Sequence, residues 1–343
     1  MAVRIAINGY GRIGRLVLRA AKQYGKKFDF VAVHDLADIE SLAMVTKYDS
    51  IHGRFPGTVE VAGDKLVIDG DAMQVISGAG KRSDDPLDLP WKELGVDYVV
   101  EATGVFRKLS QLESHLTSGA RRVVLTVPPK ERIEATVVLG VNDHILRPEH
   151  TIISNSSCTT NCAAPVAKVL QDHWGIEKGY LSTVHAFTND QRLFDYPHKD
   201  FRRARMATLS IIPTSTGAAQ ALGWVIPELD GKIEGIAYRV PVPTGSLIDF
   251  TVMLEKKATA EEINAAMKAA CEGPLRGVME YTTDPIVSVD IISNPHSAIF
   301  DAEITHVRKD RMVKVVAWYD NEWGYSVRVT DLIAKLAAMD GLT

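Results

Sequence analysis

Nine consecutive residues, Ser154-Asn155-Ser156-Ser157-Cys158-Thr159-Thr160-Asn161-Cys162, set a thiol among a run of hydroxyl side chains. They join an apolar run at 151–154 to an Ala-rich periodic segment at 163–170. Read as strand, turn and helix, the stretch puts Cys158 in or near a first helical turn. Unpaired backbone N–H groups and the positive end of the helix dipole favour negative charge there. Those conditions lower a thiol's pKa and leave a nucleophilic thiolate near neutral pH. The competing reading is a buried packing cysteine, since free Cys is among the most buried residue types. What else the chain supplies decides between them.

It supplies, first, Gly9-Tyr10-Gly11-Arg12-Ile13-Gly14 between a short apolar strand at 3–8 and a helix at 12–22. Ile13, Leu16, Val17 and Ala20 share one face of that helix. A second apolar strand at 30–33 leads to Asp35, 21 residues after Gly14 (35 − 14). Strand, glycine loop, helix, strand and acid at that spacing form the Rossmann dinucleotide fingerprint. The glycines let backbone approach a pyrophosphate at the helix N-terminus. Asp35 suits adenine ribose hydroxyls and would repel a 2′-phosphate, so NAD is favoured over NADP. Further strands are expected at 98–102, 122–127 and 136–141, with a helix at 109–116. The strand ends, Thr103-Gly104 and Pro128-Pro129, are expected cofactor walls, because ligands of open α/β sheets sit beyond the carboxyl ends of strands. Residues 50–68 read as a hairpin-like insertion, and 81–90 as a charged surface loop.

Downstream of Cys158, a strand at 179–188 carries His185, a base for the thiol if the two meet in space. A satisfied structural histidine is the alternative. The ten histidines include no H-E-x-x-H motif and no close pair at zinc-ligand spacing, so no metal site is expected, and no G-x-S-x-G is present. The basic segment 189–205, with Arg192, His198, Lys199, Arg202, Arg203 and Arg205, reads as a solvated loop or as an anion-handling or subunit-contacting one. Thr214-Ser215-Thr216-Gly217 precedes a new helix and suits either an oxyanion or simple capping. Arg239 interrupts an apolar strand at 235–240, and a guanidinium buried there calls for anionic partners. Strands are expected at 248–254, 287–291 and 313–318. Thr259-Ala260-Glu261-Glu262 is a capping box opening a helix that carries Cys271 on its apolar face. The last helix, 325–339, is amphipathic.

At 343 residues, 46% hydrophobic and 24% charged, the chain is sized for two globular domains. A net charge of −4 argues against a dedicated nucleic-acid or anionic-membrane binder. Three cysteines without a disulfide pattern fit a reducing compartment. With no leader-like start and no membrane-length apolar run, a cytoplasmic location is expected.

Taken in order, Asn8 to Arg15, Ser154 to Cys162, Thr183-Val184-His185-Ala186, Pro213 to Ala219 and Trp318-Tyr319-Asp320-Asn321-Glu322-Trp323-Gly324-Tyr325 resemble phosphorylating glyceraldehyde-3-phosphate dehydrogenases, from residue 3 to about residue 337. The resemblance implies a homotetramer of two-domain subunits. A Rossmann NAD-binding domain at 1–157 would be completed by the C-terminal helix, 322–343. Residues 158–321 would form an α+β catalytic domain with a mixed sheet. It further implies that Cys158 is the nucleophile and His185 its base, and that Thr188 and Arg239 hold the substrate's C3 phosphate. Ser157, Thr159, Thr216 and Gly217, with Arg203 nearby, would hold inorganic phosphate. Asn321 would fix the nicotinamide carboxamide, Thr126 would line the cofactor wall, and 189–205 would reach a neighbouring subunit's cofactor. Cys162 is then a buried neighbour and no second nucleophile. Departures from the family pattern are His34 for Asn, Tyr196 for Leu, Thr126-Val127 for Ser-Ala, and Pro243-Thr244-Gly245-Ser246 for Pro-Asn-Val-Ser. An erythrose-4-phosphate dehydrogenase is the nearest alternative, suggested by Pro295-His296-Ser297-Ala298-Ile299. Retention of Thr188 and of the 214–219 motif favours glyceraldehyde phosphate. A non-enzymatic NAD-sensing or RNA-binding protein is disfavoured by the acidity and by the Cys158/His185 pair.

Overall fold

A computed structural model describes residues 2–77 and 89–342. The loop expected at 81–90 therefore lies, up to residue 88, outside the described residues. Contacts divide the chain into two compact units. The first takes residues up to Val137, His144–Ser156 and those from Ser326 on; the second takes Val138–Asp143 and Ser157–Tyr325.

The first unit runs β1 (Val3–Asn8), α1 (Arg12–Gln23), β2 (Phe28–Asp35), α2 (Ile39–Lys47), β3 (Tyr48–Asp49), β4 (Gly53–Arg54), β5 (Val59–Ala62), β6 (Lys65–Ile68), β7 (Asp71–Ser77), β8 (Tyr98–Glu101), α3 (Leu109–Thr117), β9 (Arg122–Leu125), β10 (Ala135–Thr136) and β11 (Ile152–Ser154). Its nine-stranded sheet has the order β10-β11-β9-β8-β1-β2-β7-β6-β5. All pairs from β10 to β7 are parallel, and β7-β6-β5 close one edge as an antiparallel meander. The strand order turns outward in both directions from β1 and β8. This is the switch point at which doubly wound sheets open a ligand crevice. Central strands buried on both faces are apolar throughout: Ile5, Ala6, Ile7, Val99 and Val100 have no exposed surface.

The hairpin expected within 50–68 is present as antiparallel β5 and β6, which extend the main sheet. One expectation changes here. The strand expected at 136–141 stops at Thr136. A turn follows, with Val141 N bonded to Val138 O at 3.1 Å and Gly140 at φ +79°, a left-handed conformation that glycine adopts without a Cβ clash. The C-terminal segment is fastened to this unit by a buried pair: Arg122 Nε and Nη2 meet the Asp340 carboxylate at 2.7 and 2.5 Å, and Tyr98 donates to it at 2.5 Å.

The second unit holds α4 (Cys158–Trp174), β12 (Ile176–Ala186), β13 (Ile212–Ser215), α5 (Ala218–Val225), β14 (Ile233–Val240), β15 (Ser246–Leu254), α6 (Ala260–Glu272), β16 (Met279–Thr282), β17 (Ala298–Arg308) and β18 (Met312–Tyr319); α7 (Trp323–Met339) begins in it. The mixed sheet is ordered β13-β14-β12-β15-β18-β17-β16. The core packs α4 residues such as Ala163, Val166 and Leu170 against Phe250, Val315 and Ala317, all without exposed surface. Burying each larger aliphatic side chain contributes on the order of 2 kcal/mol. The capping box of α6 is formed, with Glu262 N donating to Thr259 Oγ1 at 3.2 Å and Thr259 N to Glu262 Oε2 at 2.9 Å. Cys271 is half-buried beside the core, not inside it.

The strand expected at 287–291 is a series of turns instead. Val287 N donates to Asp290 Oδ2 at 2.7 Å, and Asp290 N to Val287 O at 3.0 Å. An Asp side chain that captures a nearby backbone N–H competes with strand pairing. The apolar alternation does not share one buried face: Val287 and Val289 are 54% and 65% exposed, whereas Ile291 is buried.

Candidate active site

Ser157 has extended backbone, φ −114° and ψ 162°, and caps α4: its Oγ accepts from Thr160 N at 3.0 Å. Cys158 is thus the first helical residue, as the apolar-to-periodic transition in the sequence implies. The approach to the helix is unusual, because Ser156 is fully buried at φ +58°. A non-glycine residue in that region carries strain that functional sites often hold. His185 reaches the same point from β12. Its Nε2 lies 3.4 Å from Cys158 Sγ, hydrogen-bond range for a sulfur pair.

The surroundings fix the ring. His185 Nδ1 is 2.7 Å from Ala186 O and 2.6 Å from Arg239 Nη1, which also donates to Ala186 O at 3.0 Å. A guanidinium only donates and a carbonyl only accepts. Nδ1 therefore faces one acceptor and one donor. With its proton on Nδ1 and given to Ala186 O, the imidazole presents the Nε2 lone pair to sulfur as a base requires; with Nδ1 accepting from Arg239, the Nε2 proton points at sulfur instead. Tyr319 stands edge-on to the ring at 5.8 Å between centroids, its hydroxyl 2.9 Å from Thr159 Oγ1 and from Thr183 Oγ1. Sequence reading did not mark Tyr319 or Thr183 as site residues; each lies in an apolar strand that looks like core.

Burial dominates the electrostatics. It brings the His185 pKa down to about 3, with Arg239 pushing the same way and the Ala186 bond opposing. It also pushes the Cys158 thiol up, against the pull of Arg239 and of the Thr159 hydrogen bonds. Burial thus opposes the lowering expected from the helix end, while Arg239 and the hydrogen bonds at Thr159 and Cys158 act with it. Cys162 is wholly buried, pushed well above the ordinary thiol range, and aimed at Ala317 O at 3.7 Å. It is a buried neighbour of Cys158, as expected.

Arg239 is half-buried on β14, its Nε is buried without a partner, and it makes no ion pair among the described residues. Its hydrogen-bond partners, the His185 ring and Ala186 O, carry no charge, so an anionic ligand would complete it. Thr188 lies two residues beyond β12, where Thr188 N donates to Gln191 Oε1 at 3.2 Å. Gln191 Nε2 is buried and also unpartnered. Arg203 is already paired, with Asp190, and donates to Thr214 Oγ1 at 2.9 Å. Its charge is thus shared with carboxylates before any anion arrives. Thr216 and Gly217 open α5; Thr216 Oγ1 accepts from Ala218 N at 3.2 Å, and a Cβ on Gly217 would meet nothing within 4 Å. Asn321 is buried, and its Oδ1 accepts from Ser246 Oγ at 2.8 Å. The same Ser246 Oγ accepts from Ala186 N at 3.1 Å, tying Asn321 to the His185 strand.

In the first unit the glycine loop fits a dinucleotide. A Cβ on Gly14 would sit 2.1 Å from Gly9 O, and one on Gly9 would sit 2.6 Å from Thr103 N, whereas one on Gly11 would meet nothing within 4 Å. Two glycines permit the tight turn, and the third leaves open space against α1. That helix is capped by Gly11 without a side-chain bond, which leaves backbone donors for phosphate oxygens. Asp35 accepts from Tyr10 N at 2.7 Å and from Ala37 N at 3.1 Å, so it braces the loop and keeps further acceptor capacity. Ile13 is half-buried in the first turn of α1. Arg12 turns its guanidinium to Asp49 at 2.8 Å, so it offers a phosphate only its backbone. Thr126 Oγ1 and N both donate to Glu101 O at 3.0 Å.

Among the described residues no group of three or more His, Cys, Asp or Glu could hold a metal ion, and no helix is long and apolar enough to cross a membrane. A doubly wound unit with a glycine-loop cofactor site, joined to a unit carrying a hydrogen-bonded Cys–His pair, defines a nicotinamide-dependent oxidoreductase of the thiol-dehydrogenase kind. Family comparison makes this particular. Residues 3–109 match the glyceraldehyde 3-phosphate dehydrogenase NAD binding domain, and residues 157–321 match the C-terminal domain of the same enzymes. The chain is 52% identical to the glyceraldehyde-3-phosphate dehydrogenase of Mycolicibacterium smegmatis, covering 97% of this chain and 98% of that one. It is 50% identical to the Streptomyces coelicolor enzyme (97% and 98%) and 51% to that of Borreliella burgdorferi (97% and 99%). The chain belongs to the glyceraldehyde-3-phosphate dehydrogenase family, and NAD is its cofactor.

Proposed function

We propose that the chain oxidises glyceraldehyde 3-phosphate and phosphorylates the product, giving 1,3-bisphosphoglycerate, through a thioester on Cys158. The observation that carries this reading is the 3.4 Å contact between Cys158 Sγ and His185 Nε2 at the first turn of α4. Cys158 sulfur adds to the aldehyde carbon while its proton passes by way of His185 to the carbonyl oxygen, forming a hemithioacetal. The Cys158 N–H and His185 steady the developing oxyanion. His185 Nε2 then takes the hydroxyl proton as the carbon is oxidised to the thioester. Bound NAD supplies the acceptor for the two electrons lost in that step. Attack by inorganic phosphate on the thioester releases the acyl phosphate, and His185 returns its proton to the sulfur.

The donors left unspent suit two anions. Arg239 and Thr188 take the C3 phosphate. Thr216 and Gly217 at the start of α5, with Ser157 and Thr159, take inorganic phosphate, and Arg203 steers from its pairing with Asp190. Gly9, Gly11, Gly14, the backbone of Arg12 and Ile13, Asp35 and Thr126 hold NAD, and Asn321 keeps its amide donors for the nicotinamide carboxamide. We assign a homotetramer on the segment from 193 to 211, where Phe194, Phe201, Leu209 and Ile211 are 69–87% exposed, more apolar surface than a lone subunit would leave in water. A cytoplasmic location agrees with three free cysteines, two of them close in sequence.

Steady-state rates with glyceraldehyde 3-phosphate and with erythrose 4-phosphate, each with and without inorganic phosphate and with NAD or NADP, test the reading. The expected result is NADH formation that requires phosphate and is fastest with the three-carbon aldehyde and NAD. Phosphate-independent turnover, or preference for the four-carbon aldehyde, would overturn it.

A further inference from the structure

Glu101 ends β8 at the switch point of the parallel sheet, level with Asn8 on β1 and Leu125 on β9. Its side chain is wholly buried, and four donors converge on the carboxylate. Asn8 Nδ2 reaches Oε2 at 2.5 Å and His115 Nε2 reaches it at 3.1 Å. Thr103 N reaches Oε1 at 2.9 Å, and Thr103 Oγ1 also bonds Oε1.

The outer bonds fix the direction of the inner ones. Trp91 Nε1, which can only donate, meets His115 Nδ1 at 3.0 Å. His115 must therefore carry its proton on Nε2 and give it to Glu101. On the other side Asn8 spends its amide N–H on Glu101, so Asn8 Oδ1 accepts from His34 Nδ1 at 2.6 Å. The result is one directed chain, Trp91 to His115 to Glu101 and His34 to Asn8 to Glu101, with every donor matched. A buried carboxylate so satisfied is stable and stiff, because any rotation strands a donor.

The backbone of the same residue ties a fourth strand end, since Glu101 O accepts from both Thr126 N and Thr126 Oγ1 at 3.0 Å. Glu101 thus gathers the carboxyl ends of β1, β8 and β9, and β2 through His34. The glycine loop leaves from this point. Gly9 N bonds His34 O at 2.9 Å, and Gly9 packs so close to Thr103 that a Cβ would sit 2.6 Å from Thr103 N. A shift of either segment moves the loop.

We propose that Glu101 is a positioning residue for NAD. Without touching the cofactor, its carboxylate sets the spacing between the glycine loop and the Thr103 turn, and so determines how tightly the dinucleotide is held. The inference rests on the glycine loop as the NAD site. Calorimetric binding of NAD to the parent protein tests that separately: a parent that fails to bind ends the reading of the loop, whereas a variant that binds as well as the parent ends this proposal.

Glu101→Gln keeps size and removes one acceptor oxygen, so either Thr103 N or the Asn8 and His115 pair then faces a donor. The expected result is a calorimetric Kd for NAD raised about tenfold or more, KM for NAD raised in step, and kcat at saturating NAD within about threefold of the parent. His115→Leu withdraws one of the four donors and covers the case in which Glu101→Gln does not fold; it is expected to raise the Kd about three- to fivefold with kcat kept. An unchanged Kd in either folded variant overturns the proposal, as does a fall in kcat that tracks lost folded protein while KM for NAD stays constant.

Discussion

Two buried polar clusters, one in each unit, spend their hydrogen bonds in opposite ways. Around Glu101 each donor meets an acceptor and the directions agree from Trp91 to His34. Around His185, Arg239 Nε and Gln191 Nε2 are buried without partners, and one imidazole nitrogen is contested by a guanidinium and a carbonyl. A saturated cluster holds backbone in place. An unsaturated one costs stability when no ligand is bound, and is retained where a ligand supplies what is missing. The difference separates scaffold from chemistry without reference to residue type, since both clusters contain a buried histidine.

The comparison is broken most directly at the sulfur. Cys158→Ser is expected to reduce NADH formation to background while the calorimetric Kd for NAD stays within about twofold, because the thiol bonds the substrate carbon and a serine hydroxyl beside a neutral imidazole is a far weaker nucleophile. Normal turnover in that variant would end the mechanism. Next, Arg239→Leu removes the unsatisfied guanidinium. Loss of a charged hydrogen bond worth roughly 1.5–3 kcal/mol predicts KM for the aldehyde phosphate raised about 10- to 100-fold. The melting temperature should hold or rise, since the unpartnered Nε is no longer buried. A lower melting temperature with unchanged KM would place Arg239 in the scaffold.

The smallest effect is on stability against pH. His185 has a folded pKa of about 3 against 6.5 for an unperturbed imidazole. Between those values the unfolded chain binds more protons, so stability falls as pH drops below about 6.5, by up to about 1.4 kcal/mol per unit for this group. His34, also lowered by burial, acts in the same direction. Denaturant unfolding of the parent and of His185→Asn between pH 7.5 and 5 should give a shallower slope in the variant. Equal slopes would show that the His185 ring gains its proton without cost in the folded protein.

Legibility differed between the units for a physical reason. The Rossmann half was readable because its signals are local: an apolar strand, glycines at fixed offsets and an acid at a fixed distance. The α4 start was readable in the same way, from the change of an apolar run into an Ala-rich periodic segment, which puts Cys158 in or near the first turn. The second sheet was harder. β16 and β17 escaped the reading, and 287–291 was taken for a strand because alternating Val residues look alike in a core and on a surface. Asp290, which ties that segment into turns, gave a signal that the alternation outweighed.

Some facts were in the sequence alone: a thiol at a helix start, a glycine loop, a guanidinium within an apolar strand, and the family they jointly identify. Others required the folded chain. Residues 27 positions apart (185 − 158) meet at 3.4 Å only because β12 returns beside α4. The side chain of Arg12, a residue of the glycine loop, is held by Asp49. Burial acts on the Cys158 thiol against its helix position, because burial is a property of everything packed around a group and a motif carries only what is adjacent in the chain. Glu101 is the extreme case: nothing in its own neighbourhood marks it, and its part emerges only where four strand ends come together.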